Sequence, residues 1–164
     1  MRKTILVVSI LLLLNTPVFA SKFALSVGMY DSLKSEEGLD AQFGAFYGIG
    51  PRWELEGTII SKITPEPFTT VGAKLGINFS LLGPVYKNEK EVSTYATMYV
   101  GAGVMGNFVG SYDVGPYIQI TPVSVGGEEF RLRERTLTGG LYYNVIKNSL
   151  TFYWSLFSLD FFIK

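Results

Sequence analysis

Along residues 70–81 the chain changes character at every step. Val71, Ala73, Leu75, Ile77, Phe79 and Leu81 are apolar, and Thr70, Gly72, Lys74, Gly76, Asn78 and Ser80 between them are small or polar. A side-chain period of two marks a strand with two unlike faces. The same period runs through 23–29, where the odd positions are large and apolar. It runs through 39–49, where Leu39, Ala41, Phe43, Ala45, Tyr47 and Ile49 face away from Asp40, Gln42, Gly44, Phe46 and Gly48. Trp53, Leu55, Gly57 and Ile59 alternate with Arg52, Glu54, Glu56 and Thr58. Later, Ala96, Met98, Val100, Ala102 and Val104 oppose Tyr95, Thr97, Tyr99, Gly101 and Gly103. Val114, Pro116, Ile118 and Ile120 oppose Gly115, Tyr117, Gln119 and Thr121. Runs over about 130–143 and 150–163 complete a set of eight predicted strands. Turn-rich breaks separate them at 31–37, 48–51, 61–67, 83–91, 106–112, 126–127 and 144–149.

One stretch invites another explanation. Gly101-Ala102-Gly103-Val104-Met105-Gly106 fits the spacing of a dinucleotide-binding loop. That loop needs a helix beginning at its last glycine. Asn107-Phe108-Val109-Gly110 follows instead, which reads as a turn into another strand. Gly101 and Gly103 fall on the same face as Thr97 and Tyr99, and a cramped face explains them. Asn78-Phe79-Ser80 matches a glycosylation sequon but sits inside a predicted strand, so it is set aside.

Eight strands with unlike faces close in two ways. A lipocalin-type barrel lines a cavity with its apolar face. An outer-membrane barrel turns that face to lipid and fills the lumen with the polar one. Eight strands leave an interior just wide enough for side chains to fill. Here the mixed face is rich in glycine, serine and threonine, broken by single long charged residues, and the other face lacks charge across whole strands. A Lys or Arg facing mid-bilayer costs roughly 2–4 kcal/mol. The pattern therefore predicts an eight-stranded antiparallel up-and-down transmembrane β-barrel. Asp40, Gln42, Arg52, Glu54, Glu56, Lys74, Asn78, Tyr99, Tyr117 and Gln119 are expected in its lumen. Tyr47, Trp53 and Trp154 are expected in an aromatic girdle at the membrane border. A turn centred on Gly50 would place Tyr47 across from Trp53 and Glu56 opposite Gly44. The next hairpin would bring Lys74 beside Glu56 or Glu54.

Two segments break the pattern. Arg131, Arg133 and Arg135 share the side of Leu137 and Leu141, so either they snorkel at the interface or a bulge resets the register. Phe152, Trp154 and Leu156 are out of phase with Phe157, Leu159, Phe161 and Ile163, which predicts a bulge near Leu156.

Composition adds limits. The chain has 164 residues, with 15% aromatics, 18 glycines, no cysteine and no histidine. It opens Met1-Arg2-Lys3, then an apolar run from Ile5 to Leu14, then Val18-Phe19-Ala20. This is the pattern of an export signal, 1–20, cleaved after Ala20, with the barrel in 21–164. Losing Arg2 and Lys3 lowers the 14 basic residues to 12 against 14 acidic, a net charge near −2. That is no footprint for nucleic acid. Without cysteine or histidine, neither a disulfide nor a transition-metal site is expected.

The signal, the alternating segments and the closing stretch "TFYWSLFSLDFFIK" together resemble the small eight-stranded outer-membrane barrels of bacteria, of the OmpA membrane-domain, OmpX and OmpW sort. The resemblance is architectural and covers nearly all of 21–164. It implies residence in the outer membrane, with its lipid and the barrel-assembly machinery as partners. The closing stretch looks like that family's C-terminal assembly signal, with Lys164 added after it. Enzymes on such barrels rely on a histidine general base, which this chain lacks. Neither catalysis nor a cofactor is expected. The expected function is a structural protein or a small-solute pore with a narrow polar lumen. The alternatives are a surface-exposed binding or adhesin barrel that uses 31–37 and 106–112, and a lipocalin-like periplasmic carrier.

Overall fold

The computed structural model describes residues 22–32, 40–63, 70–88, 91–92, 95–108, 112–127 and 131–163. The export signal read at 1–20 lies outside them, as do 33–39 and 64–69.

The strands are β1 (Phe23–Ser32), β2 (Asp40–Gly48), β3 (Trp53–Lys62), β4 (Thr70–Ser80), β5 (Tyr86–Asn88), β6 (Glu91–Val92), β7 (Tyr95–Asn107), β8 (Asp113–Gly127), β9 (Leu132–Asn144) and β10 (Ser149–Ile163). Eight of them form a closed barrel in the order β1-β10-β9-β8-β7-β4-β3-β2, and every neighbouring pair is antiparallel. This is an up-and-down barrel, closed where β1 meets β10. β5 and β6 form a small ribbon within the β4–β7 connection, where the sequence reads only as a turn. The start of β1, the end of β10, the β2–β3 turn and the β4–β7 and β8–β9 connections share one end of the barrel, called here the termini end.

The faces sort sharply. On β4, Leu75 is 69% exposed, whereas Lys74 is 7% and Asn78 1% exposed. Val104, Ile118, Ile120 and Leu141 are likewise exposed on the outer wall, while Glu54, Glu56, Gln119 and Arg133 are buried within. The molecule is thus apolar outside and charged inside. Glycines make room for the long inner side chains. A Cβ on Gly101 would collide with Asn78 Oδ1 and crowd the Gln119 side chain, and one on Gly76 would collide with the Tyr117 hydroxyl. Gly101 and Gly103 lie mid-strand on β7, with no helix after them.

One expectation needs correction, and two breaks in the pattern resolve. The β2–β3 turn is wider than one centred on Gly50, because Ile49 N donates to Trp53 O and closes the loop around 50–52. The register shifts with it. Tyr47 opposes Leu55, Glu56 opposes Phe46, and Trp53 meets Phe79 across β3–β4, with ring centroids 4.5 Å apart. Arg133 and Arg135 do not share a side with Leu141, nor do they reach out to an interface; both are buried inside. The reason is a seam of irregularities. On β9, Arg135 and Thr138 both point inward, and Leu137 between them takes φ 55°. β8 changes phase between Thr121 and Ser124, and β10 between Ser155 and Ser158. The break expected near Leu156 is therefore present, with Leu156 and Phe157 both exposed. All three strands flip at one level, so β8–β9 and β9–β10 keep the same register on either side. Bulges re-aim side chains in this way.

Crowding around Gly76 is testable. Gly76→Ala is expected to cost about 1–3 kcal/mol, the usual penalty for overpacking. The Tyr117 hydroxyl has no hydrogen-bond partner among the described residues, so Tyr117→Phe alone costs little and recovers part of the loss in the double variant. Urea unfolding of all four proteins measures the coupling; strictly additive effects would contradict this packing.

Candidate functional site

The barrel interior is built in layers. Nearest the termini end lies an apolar cluster of Ala24, Phe46, Val85, Tyr99 and Phe162. Val85 is not a barrel residue. It comes from the β4–β7 connection and is 0% exposed. Its N–H donates to Pro51 O at 2.8 Å, and the preceding segment is tied down by Ser80 Oγ donating to Gly83 O at 2.6 Å. Leu82 N also donates to Thr97 Oγ1 at 3.3 Å. The connection therefore folds back as a stopper.

Against the stopper sits an ionic tetrad. Asp160 on β10 faces Arg133 on β9 as a direct cross-strand pair. Arg133 Nε donates to Asp160 Oδ2 at 2.5 Å and its Nη1 to Glu54 Oε2 at 2.6 Å. Arg135 repeats the arrangement, with Nε on Asp160 Oδ2 at 2.9 Å and Nη2 on Glu54 Oε1 at 2.8 Å. Each carboxylate thus bridges both guanidinium groups. Glu54 reaches across from β3, so the tetrad ties opposite walls. Phe46 covers Arg135, its centroid 3.8 Å from Cζ, and Tyr99 accepts from Arg133 Nη1 at 2.9 Å. Planar guanidinium groups suit both bridging and stacking on rings.

The next layer centres on Glu56. Lys74 Nζ lies 2.6 Å from Glu56 Oε1. Asn78 Nδ2 and Gln119 Nε2 each donate to Glu56 Oε2 at 2.8 Å, and Thr58 Oγ1 donates to Oε1 at 3.1 Å. Lys74 also donates to Gln119 Oε1 at 3.0 Å. Among the described residues the middle of the lumen holds three carboxylates, Glu54, Glu56 and Asp160, and three cations, Lys74, Arg133 and Arg135. The charges cancel, as burial in a low-dielectric space demands.

Beyond this layer a second apolar cluster of Tyr30, Ile60, Val71, Met105, Tyr117, Tyr142 and Tyr153 fills the far half. At the far rim Asp113 accepts from the Asn144 amide and from Tyr142 Oη at 3.3 Å, and Lys147 Nζ stands 3.3 Å away. The polar middle leaves a largely enclosed cavity in which the space for the centre of a water molecule is about 10 Å³. No group of three or more acidic side chains among the described residues is placed to hold a metal ion.

Of the residues expected in the lumen, Gln42, Glu54, Glu56, Lys74, Asn78, Tyr99, Tyr117 and Gln119 are buried inside. Asp40 is half-buried at the far rim, opposite Lys62. Arg52 is a correction. It belongs to the β2–β3 turn and is exposed, because the wider loop takes it out of the strand. Tyr47 and Trp53 point outward near the termini end. Trp154 is half-buried on the outer wall and is paired with Gly139 and Asp31, higher up the barrel.

The residues missed are Arg133, Arg135 and Asp160, which form most of the tetrad. The arginines were visible as misfits in the alternation. Asp160 carried a plainer signal, being the acidic residue of the closing stretch and in step with Ser158. Val85 carried none, since a lone valine in a turn-rich segment does not announce insertion. The chain matches no protein-family model, no curated protein and no solved structure.

Removing one partner of a buried pair leaves the other charge uncompensated, at roughly 3–5 kcal/mol. Lys74→Ala and Arg133→Met are each expected to lose stability on that scale. Lys62→Ala, at the rim, should cost within about 1 kcal/mol. Urea titration of the folded fraction ranks the three; equal midpoints for Lys74→Ala and Lys62→Ala would show that Lys74 has no buried carboxylate to neutralise.

Proposed function

We propose that this chain is an integral outer-membrane β-barrel protein, of the kind that OmpA membrane-domain, OmpX and OmpW barrels exemplify, with a plugged lumen and a structural role in the envelope. The observation that carries this is the inversion of the faces. A wall of Leu75, Val104, Ile118, Ile120 and Leu141 encloses Glu54, Glu56, Lys74 and Arg133. In water such a molecule would expose a continuous apolar surface far beyond what a soluble monomer carries. In a bilayer the same surface meets acyl chains, and the closed ladder leaves no strand edge unpaired. The shortest barrel strand has nine residues and the longest 15. Nine to eleven tilted residues suffice to cross. The leading segment 1–20 would be the export signal and would be removed on the way.

The lipocalin-like alternative is less well supported. A carrier needs an apolar hollow inside the barrel. Here an apolar hollow of about 740 Å³ lies against the outer wall of β7–β10, beside Ile118, Leu141, Phe152 and Trp154. The inner cavity is polar and water-sized. Packing of the interior, with the Val85 stopper at one end and the tyrosine cluster beyond the polar middle, likewise favours a plugged barrel over a pore for solutes.

Fractionation tests the membrane assignment. The protein should stay with cell envelopes through carbonate and high-salt washes and leave only with detergent. It should also run faster on a gel unboiled than boiled. Release by carbonate alone would end the membrane reading. In planar bilayers the purified barrel should give a flat current trace, and discrete conductance steps would mean that the lumen opens.

A further inference from the structure

Gln42 projects into the polar middle of the barrel and is 7% exposed. Its Nε2 donates to Ser155 Oγ at 3.0 Å. Its Oε1 is buried and has no hydrogen-bond partner among the described residues. Turning the amide over does not remove the difficulty. Ser155 Oγ donates its proton to Met29 O at 2.5 Å, so it has none left for a carbonyl oxygen. The amide NH₂ must face Ser155, and Oε1 must face the other way. A buried acceptor without a donor is rare in folded proteins, and ordered water is the usual remedy.

The water-sized cavity described above adjoins this residue. Ser26, Gln42, Lys74, Ser155 and Ser158 are among its walls. Its space for the centre of a water molecule, about 10 Å³, sits at the lower limit of the roughly 10–15 Å³ that one water requires. A second water does not fit. Nor does an ion suit it. Lys74 and Arg135 on the same wall repel a cation, and Glu56 repels an anion. What the site lacks is a small neutral donor to Gln42 Oε1.

We propose that the barrel holds one internal water molecule as a permanent ligand, donating to Gln42 Oε1 in the polar cavity at the middle of the lumen. This water completes the hydrogen bonding that joins the β1–β10 closure to the central charges. It does not form part of a file of waters, because the apolar clusters lie to either side. The proposal concerns the folded barrel itself and does not depend on where the barrel resides.

The test uses the full mature chain folded in detergent micelles. A crystal structure fine enough to place waters should show a single peak at hydrogen-bond distance from Gln42 Oε1. In solution, the Gln42 side-chain amide protons should show a direct magnetisation-transfer peak to water. Gln42→Met keeps the length but removes the acceptor and should lose the ordered peak, with gel mobility confirming that the variant has folded. An empty cavity in the unmodified protein, without the transfer peak, would overturn the proposal, and so would a chain of several waters running through the lumen. Because the unmodified protein decides the matter, a variant that fails to fold leaves the test intact. A barrel released by carbonate yet carrying this water would sink the membrane reading and leave the water site standing.

Discussion

Charge neutrality inside a narrow tube governs this molecule. Three carboxylates and three cations share a space too small for bulk water. Each ion has given up hydration that costs several kcal/mol, and only close, well-aligned opposite charges offset the loss. Much of the interior follows from that condition. Guanidinium groups occupy the centre because their planar forks satisfy two carboxylates at once. Asn78, Gln119 and Thr58 gather around Glu56 because its oxygens have lone pairs beyond those that Lys74 engages. Glycine stands at Gly76 and Gly101 because the long side chains need the volume of a missing methyl. Apolar clusters cover the charged middle on either side, so that the ions interact with one another rather than with solvent.

Much of this was legible in the chain. Alternation along 72–81 and 40–49 fixes which side chains share a face, and the structure keeps those faces. At the start of β4 the irregularity opposite Ile60 and Ser61 turns Val71, read as outward, into the inner cluster and leaves Thr70, read as inward, exposed. The number of barrel strands and their antiparallel order follow from the runs and the breaks between them. Pairing of Lys74 with Glu56 was within reach because both lie on adjacent strands with regular alternation. What alternation cannot show is where it resets. Counting back in twos from Leu141 carries Arg135 and Arg133 to the outer wall, and only the left-handed backbone at Leu137 returns them inside. Such a reset leaves little trace in sequence when the residue is an ordinary leucine rather than glycine. The register of β2 and β3 failed for a related reason. Gly50-Pro51 suggests a tight turn, yet the loop closes one residue later, and every facing pair moves with it.

The stopper shows a different limit. Val85 is held by a backbone hydrogen bond to Pro51 and by a serine–threonine contact that pins the chain before it. None of these depends on a pattern that repeats. Its place inside the barrel follows from geometry at the mouth, where Phe46, Tyr99 and Phe162 leave an apolar gap. A connection that reads as a loop thus contributes to the core, and composition alone would not separate it from one that hangs free.

The reach of Glu54 across the lumen has a consequence for how the barrel comes together. Its two guanidinium partners lie 79 and 81 residues further along the chain. A half-built sheet that ended before β9 would carry that carboxylate on a concave surface without either arginine to neutralise it. Partial barrels are therefore penalised electrostatically as well as by their open edges. The two halves thus depend on each other, since the early strands carry Glu54 and the last hairpin carries the two arginines that neutralise it.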